Sequence, residues 1–398
     1  MKFSNKLLVN VKTIFTVLAL LSISSLSLAV NHNDPIKEGV TASLTGVYDE
    51  QGESLLQGLT MWADDINARG ALLGRPVKII HYDDQSSPEK SAELYEKLIT
   101  EDKVDLLVGP YASNVTFAAS SVAEKHQFPM VSGTSAATAI WDRGYKNIFQ
   151  VDVPAPSYME GGLAIAKAAG RERIGIIYQD NLFTSEVAHG AKKKAEALGL
   201  KVTVFESYAK EETDFSALVK QIKETDAEIL FGASFIDDSV AIVREAKRQN
   251  YNPRALAFTS GPSIKEFGKE LGQDAEGILG FTPWIRASRQ PMAYDFNFRY
   301  RQIFKHAASS NSAGGYAAGQ VLEAAARLAK TLDKDALREQ LSNMSFLSLM
   351  GRYKVDETGK QVGKEMYLIQ WQQGKRVLIL PANIGEEKSQ PMQAWDAR

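Results

Sequence analysis

The residues of this sequence that are placed to do chemistry are hydroxyls and bare backbone rather than acids, bases or thiols. The segment Ser132-Gly133-Thr134-Ser135-Ala136 follows the apolar Met130-Val131, which has the look of a buried strand end. A second segment, Gly109 to Thr116 ("GPYASNVT"), joins the strand-like "VDLLVG" to a helical pattern and carries Ser113. A helix N-terminus presents unpaired N–H groups and a partial positive charge. Hydroxyls of Ser113, Thr134 and Ser135 beside such a terminus suit an oxyanion. A carboxylate fits best, because it accepts several hydrogen bonds and requires no proton transfer. Gly133 would let the backbone approach that ligand closely. Helix capping by Ser113 and Thr134 accounts for the same spacing.

No G-x-S-x-G, GxxxxGK[ST], HExxH or strand-borne GxGxxG occurs. Ser135 follows a strand but lacks the second glycine of a nucleophile elbow. The acid pairs Asp83-Asp84 and Asp237-Asp238 could do acid–base work, and read more simply as cap and surface residues. Cysteine is absent and five histidines are scattered, so neither a disulfide, a thiolate metal site nor a histidine cluster is expected. The sequence implies no metal, no cofactor and no catalytic residue. A formal net charge of −2, without a basic block, disfavours nucleic acid.

The elements that must position these residues alternate. The runs "GVTASL", "VKIIHY", "VDLLVG", "PMVSG" and "NIFQV" are separated by helical patterns over Gln57–Arg69, Pro88–Glu101 and Asn114–His126. Ser87 and Pro88 are placed as cap and first helical residue. The series then starts again with "IGIIY", "VTVFE", "EILFG", "ALAFTS" and "GILGF", interleaved with helices Thr184–Leu198, Phe215–Thr225 and Asp238–Gln249. Strand–helix alternation of this length predicts βαβ units on parallel sheets, and 398 residues suit two domains. Two further helices follow, near Tyr294–His306 and Gly315–Leu332, and the segment Arg352–Pro381 alternates as antiparallel strands. The polar end beyond Pro381 is expected to be loosely held. Lys2, Lys6 and Lys12 precede an apolar run that closes on Ser27-Leu28-Ala29, the pattern of an export signal cleaved after Ala29.

The order of "GVTASLTGVYDEQGESLLQGLTMWADDINARGALLGRPVKIIHYDDQSSPEKS", "VDLLVGPYASNVTFAASSVAEKHQFPMVSGTSAAT", "EGILGFTPW", "GGYAAGQVLEAA" and "LIQWQQGKR" resembles the leucine/isoleucine/valine-type periplasmic binding proteins of ABC importers. The resemblance covers nearly all of the chain after Ala29. It implies the type I fold: an α/β chain with two doubly wound parallel-sheet lobes joined by a multi-strand hinge, and one ligand in the cleft. The implied division is 1–29 as signal peptide, 36–153 with 285–364 as the N-terminal lobe, 154–284 with 365–382 as the C-terminal lobe, and 383–398 as a polar tail. It further implies a periplasmic location and a partner in the importer's membrane subunits.

Carried over residue by residue, Ser113 matches the serine that grips the ligand carboxylate. Thr134, Ser135 and Ala136 match the second gripping loop; relatives often have Thr where Ala136 stands. Tyr48 falls on the cleft wall. Phe183 lies where relatives place an aromatic over the ligand, Phe235 near a position often held by Tyr, and Trp284 near a lobe crossing. For Tyr48, Phe183 and Trp284, ordinary packing is the competing reading. Gly261 stands where amino-acid binders carry the Glu that meets the ammonium. Asp237 and Asp238 are the nearest candidates to replace it, against the simpler reading that one of them only caps its helix and against a ligand that lacks an amine. The expected function is import of an amino acid or related small carboxylate. A sensory module of the same fold, a carrier of a non-amino and possibly aromatic acid, and an exported hydrolase are the alternatives.

Overall fold

A computed structural model describes residues 34–286, 290, 292–385 and 387–398. The export signal and its cleavage point after Ala29 lie outside the described residues. The first lobe is built on β1 (Ile36–Ala42), β2 (Val77–Asp83), β3 (Leu106–Val108), β4 (Met130–Ser132) and β5 (Ile148–Gln150). These strands form one parallel sheet in the order β2-β1-β3-β4-β5. Helices α1 (Asp49–Ala68), α2 (Pro88–Thr100) and α3 (Ser113–Lys125) connect them. The strands read as nearly continuous apolar runs because helices cover both faces. Leu55, Leu59 and Trp62 of α1 join one core, and Tyr95, Leu98 and Ala119 of α2 and α3 join the other.

The second lobe repeats the plan. Its strands are β6 (Arg173–Gln179), β7 (Lys201–Tyr208), β8 (Ile229–Ala233), β9 (Ala255–Phe258) and β10 (Leu279–Thr282). Its helices are α4 (Glu160–Ala168), α5 (Leu182–Ala197), α6 (Ser216–Glu224), α7 (Ile236–Arg248) and α8 (Lys265–Leu271). The chain then returns to the first lobe as α9 (Ala293–Phe304), α10 (Ser310–Ala329) and α11 (Lys334–Asn343), whose Phe296, Tyr316 and Leu337 complete the core behind α1. A hairpin follows, β11 (Phe346–Ser348) with β12 (Gly351–Tyr353). The last strands, β13 (Tyr367–Gln372) and β14 (Lys375–Leu380), add antiparallel to β10 and extend the second sheet to seven strands, β14-β13-β10-β9-β8-β6-β7. Three crossings thus join the lobes: after β5, after β10 and before β13.

Three local expectations need correction. Helix α1 begins at Asp49, eight residues before the apolar periodicity at Gln57 suggested. Asp49 and Glu50 favour a first turn by their charge, but an acidic surface turn leaves no apolar signature. The close approach expected of Gly133 is made to protein and not to a ligand: a methyl group there would overlap the Gly314 carbonyl of α10. The C-terminal end is docked instead of loose. Met392 and Trp395 are buried in the second lobe's core, and Trp395 Nε1 donates to the Tyr251 carbonyl at 2.7 Å.

Candidate functional site

Both sheets reverse their strand order at a point that leaves a crevice beyond the carboxyl ends of two adjacent strands. Such switch points are where open α/β sheets bind ligands. In the first lobe the crevice lies between β1 and β3, flanked by the loops carrying Tyr48 and Ser113. In the second it lies between β6 and β8, flanked by those carrying Phe183 and Phe235. The two crevices open on one shared cleft of about 1440 Å³. Tyr48, Ser113, Thr134, Phe183, Phe235 and Trp284 all line it.

The Tyr48 loop is anchored by the pair read as surface acids. Asp84 is buried and accepts from Ser43 Oγ at 2.6 Å and Thr41 Oγ1 at 2.8 Å. Asp83 accepts from Leu44 N at 2.9 Å and Thr45 Oγ1 at 2.7 Å. Ser86 Oγ then accepts from Tyr48 N at 3.1 Å. These carboxylates fix loop geometry, which is why neither behaves as a free surface group. Tyr48 packs edge-on against Tyr111, with ring centroids 5.8 Å apart.

Ser113 is the first residue of α3, and Ala112 is the cap residue, without a side-chain cap hydrogen bond. Ser113 therefore does not cap this helix. Its Oγ accepts from the backbone N–H groups of Ala136 and Ala137, each at 3.2 Å. A hydroxyl has two acceptor sites and one hydrogen, so the hydrogen remains for a group in the cleft. The open first turn of α3 adds unpaired N–H groups beside it. Side chains of Ser87, Asn181, Ser309 and Asp333 cap α2, α5, α10 and α11, whereas α1, α4, α6, α7, α8 and α9 start without a side-chain cap, as α3 does.

The remaining loop residues have different roles from those expected. Thr134 Oγ1 donates to the Tyr111 carbonyl at 3.1 Å, so it faces the cleft as an acceptor and not as an oxyanion donor. Ser135 is buried off the cleft lining, and its hydroxyl bonds to the Tyr111 carbonyl at 3.0 Å and to Thr116 Oγ1 at 2.6 Å. The N–H of Ala136 is spent on Ser113. Gly261 is also buried off the lining, and a methyl group there would meet the Ser239 hydroxyl of α7, which would have to turn aside. Its neighbour Ser260 faces the cleft.

Asp237 and Asp238 also stand off the lining. They lie inside the first turn of α7, which begins after Phe235, so neither occupies the cap position. Asp238 is buried and accepts from Gln179 Nε2 at 2.9 Å and Tyr208 Oη at 3.1 Å. It thereby ties the ends of β6 and β7 to α7, and burial raises its pKa. The acid that does reach the cleft is Asp152, two residues past β5 and 3% exposed. Its oxygens accept from Val153 N at 2.6 Å and Tyr158 Oη at 3.1 Å. Burial pushes its pKa up to about 6, opposed by the nearby Lys364 ammonium. Asp152, Tyr111 and Tyr158 were missed in the sequence. The usable signal was that "NIFQVDV" places Asp152 just beyond a strand end, level with the Thr134 loop.

Aromatic side chains cluster along the cleft lining. Tyr158 meets Phe183 edge-on at 5.1 Å, and Phe183 lies 6.5 Å from Phe235. Trp284 is buried against Phe296 at 5.9 Å. No group of three or more metal-ligating side chains occurs among the described residues, and no described helix is long and apolar enough to cross a membrane.

The family model described as periplasmic binding protein matches residues 35–376. The chain is similar to Leu/Ile/Val-binding protein homolog 7 of Brucella melitensis, at 26% identity over 365 residues, covering 87% of this chain and 91% of that one. Among solved structures it is similar to the leucine-binding protein LivK of Thermotoga maritima, with a TM-score of 0.77, 20% identity and coverage of 86% and 97%. It is also similar to an ABC-transporter solute-binding protein of R. palustris in complex with benzoate, with a TM-score of 0.76, 21% identity and coverage of 87% and 96%. These structural likenesses show the two-lobed fold.

Proposed function

The chain belongs to the periplasmic binding protein family, binding proteins and not enzymes, and from that premise we propose that it is the exported solute-binding component of an ABC importer and holds a small carboxylate between its lobes. The observation that carries this reading is the disposition of Ser113. Its lone pairs are taken by Ala136 and Ala137, its hydrogen is left over, and it stands at the uncapped start of α3. An anion with two acceptor oxygens satisfies that hydrogen and the adjacent N–H groups together. The aromatic side chains Tyr48, Phe183 and Phe235 then supply an apolar surround for the rest of the ligand. Structural relatives described as a leucine-binding protein and as a benzoate complex bracket the size and polarity of such a solute. Export would proceed by cleavage after Ala29, and the ligand-bound form would dock on the importer's membrane subunits.

A thermal-shift screen of amino acids and plain carboxylic acids tests the reading. A ligand at 100 times its dissociation constant should stabilise the protein by about 2.7 kcal/mol. A screen in which only uncharged or cationic solutes stabilise the protein would refute it.

A further inference from the structure

Helix α9 turns an apolar face inward and leaves a mixed face outward. Ala293, Phe296, Asn297 and Tyr300 are buried, and Phe296 and Tyr300 join the first lobe's core. On the other side Tyr294 is 75% exposed, Phe298 54% and Ile303 55%, and Met292, just before the helix, is 45% exposed. The other exposed large apolar side chains among the described residues are spread over α3, α10, β11 and two loops. Single exposed apolar residues are ordinary, whereas a cluster of them on one helix marks an interaction surface.

The cluster carries cations and no free acid. Tyr294, Phe298 and Arg301 follow one another at helical spacing, Lys305 continues their line at the C-terminal cap, and Arg286 joins from the crossing after β10. All five line one groove of about 360 Å³. Arg286, Arg301 and Lys305 form no ion pair within 4.0 Å among the described residues. The one acid of α9, Asp295, is held by Arg299 at 2.9 Å, and Arg299 is held in turn by Asp65 at 2.6 Å. The helix dipole accounts for Arg301 and Lys305 near the C-terminal end. It accounts neither for Arg286, which is not on the helix, nor for the bared aromatic rings. The positive field extends to the second lobe: burial lowers the pKa of Arg376, Glu266 opposes the shift, and the Arg286 charge adds to it.

We propose that this face of α9, together with Arg286, binds the surface of an anionic phospholipid bilayer. Lipid phosphates meet Arg286, Arg301 and Lys305, and the rings of Tyr294 and Phe298 enter the headgroup layer, where amphipathic and aromatic side chains are stable. The cations are exposed and long-stemmed. A fluid surface with many phosphates can satisfy them without a fixed geometry, which an acidic protein segment would require. A chain of formal net charge −2 is not drawn to such a surface as a whole, so the attraction is local and orients the molecule. Arg286 and Asn297 also line the ligand cleft, so this orientation turns the cleft rim toward the membrane in which an importer would sit. That consequence rests on the importer reading; lipid binding itself does not.

Co-sedimentation with vesicles tests this on residues 30–398, which contain every described element. Residues 1–29 are omitted because their apolar run would bind lipid by itself. Vesicles of phosphatidylcholine with about 30% phosphatidylglycerol should bind the protein about tenfold or more tightly than phosphatidylcholine alone, and added salt should weaken that binding. Arg301→Gln combined with Lys305→Gln should lower affinity for the mixed vesicles by about tenfold, and Phe298→Ser should lower it further. Lys220→Gln combined with Lys223→Gln makes the same charge change on α6 and should leave it unaltered. All five side chains are exposed, so each variant should keep the parental melting temperature. Equal binding to both vesicle types, binding to neither, or an equal loss in the two paired variants overturns the proposal. So does binding to polyglutamate but not to vesicles, lost with Arg301→Gln and Lys305→Gln, which would assign the face to an acidic protein segment. Binding of acids in the cleft is read separately by calorimetry, so failure here leaves the carboxylate reading standing, and the reverse.

Discussion

The hydroxyl oxygen of Ser113 accepts the backbone N–H of Ala136 at 3.2 Å, and so ties the first turn of α3 to the loop beyond β4. One side chain thus shapes the second binding loop while keeping its own hydrogen for the cleft.

Ser113→Ala should accordingly weaken carboxylate binding by about 1.5–3 kcal/mol, the scale of a hydrogen bond to a charged group. The loss should appear in calorimetry against any bound acid, amine-bearing or not. Melting temperature should fall as well, because the Ala136 and Ala137 N–H groups lose their acceptor. Unchanged affinity with a lowered melting point would reduce Ser113 to a structural tie.

Glu38 makes a separate prediction about stability. It lies in β1, 0% exposed, and neither carboxylate oxygen has a partner among the described residues. Burial raises its pKa from 4.5 to about 8. The folded state therefore holds a proton there that the unfolded state releases from pH 4.5 upward. Stability is favoured below pH 4.5 and declines as pH rises through the window from 4.5 to 8. Glu38→Leu removes both the titration and the unpaired polar group, and should stabilise the protein at pH 8 by about 1–3 kcal/mol. Urea unfolding at pH 5.5 and 8 checks this: the parent should lose stability between the two relative to the variant.

Much of this molecule was legible before its structure, for definite reasons. Parallel strands buried on both faces leave apolar runs such as "IGIIY", and helices between them leave 3.6-residue periodicity, so both lobes and their order could be read. Strand ends followed by hydroxyls marked Ser113 and Thr134. What could not be read was the direction of each hydrogen bond. Thr134 and Ser113 carry the same chemical group, yet one donates inward to Tyr111 and the other accepts from Ala136 and Ala137. Nor does sequence show that Asp238 is consumed by Gln179 and Tyr208 while Asp152 reaches the cleft. Those partners lie on strands far apart in the chain, brought together only by the sheet register.

Gly315 governs how closely α10 approaches α1. A methyl group there would overlap the Leu55 carbonyl, a backbone atom that cannot rotate aside. Gly315→Ala should cost about 1–3 kcal/mol or more through overpacking. Because the neighbouring Gly314 backs onto Gly133 of the binding loop, ligand affinity should fall with it. A variant with parental melting and affinity would show that the helices separate freely.

Trp395 tests the docked C-terminus. Its ring is buried in the second lobe and its Nε1 bonds to Tyr251, so Trp395→Ala should destabilise the protein by about 3 kcal/mol. Chemical denaturation followed by tryptophan-independent circular dichroism reads the change. A shift within error would mean that the tail adds nothing to the core.

Phe183 tests the apolar side of the site. It follows the Asn181 cap at the start of α5, is half-buried, and touches Tyr158 edge-on at 5.1 Å on one side and Phe235 at 6.5 Å on the other. Its exposed ring surface faces the cleft. Phe183→Ala should therefore remove apolar contact with the ligand's side chain and leave the carboxylate grip of the other lobe intact. The expected loss is about 1.5–3 kcal/mol for a ligand with a branched or aromatic side chain, the scale of one buried large apolar group. A short acid such as acetate has little apolar surface to lay against Phe183 and should lose far less. Dissociation constants for leucine, benzoate and acetate on parent and variant separate the two roles. An equal loss across all three would mean that Phe183 acts by positioning the α5 loop rather than by touching the solute.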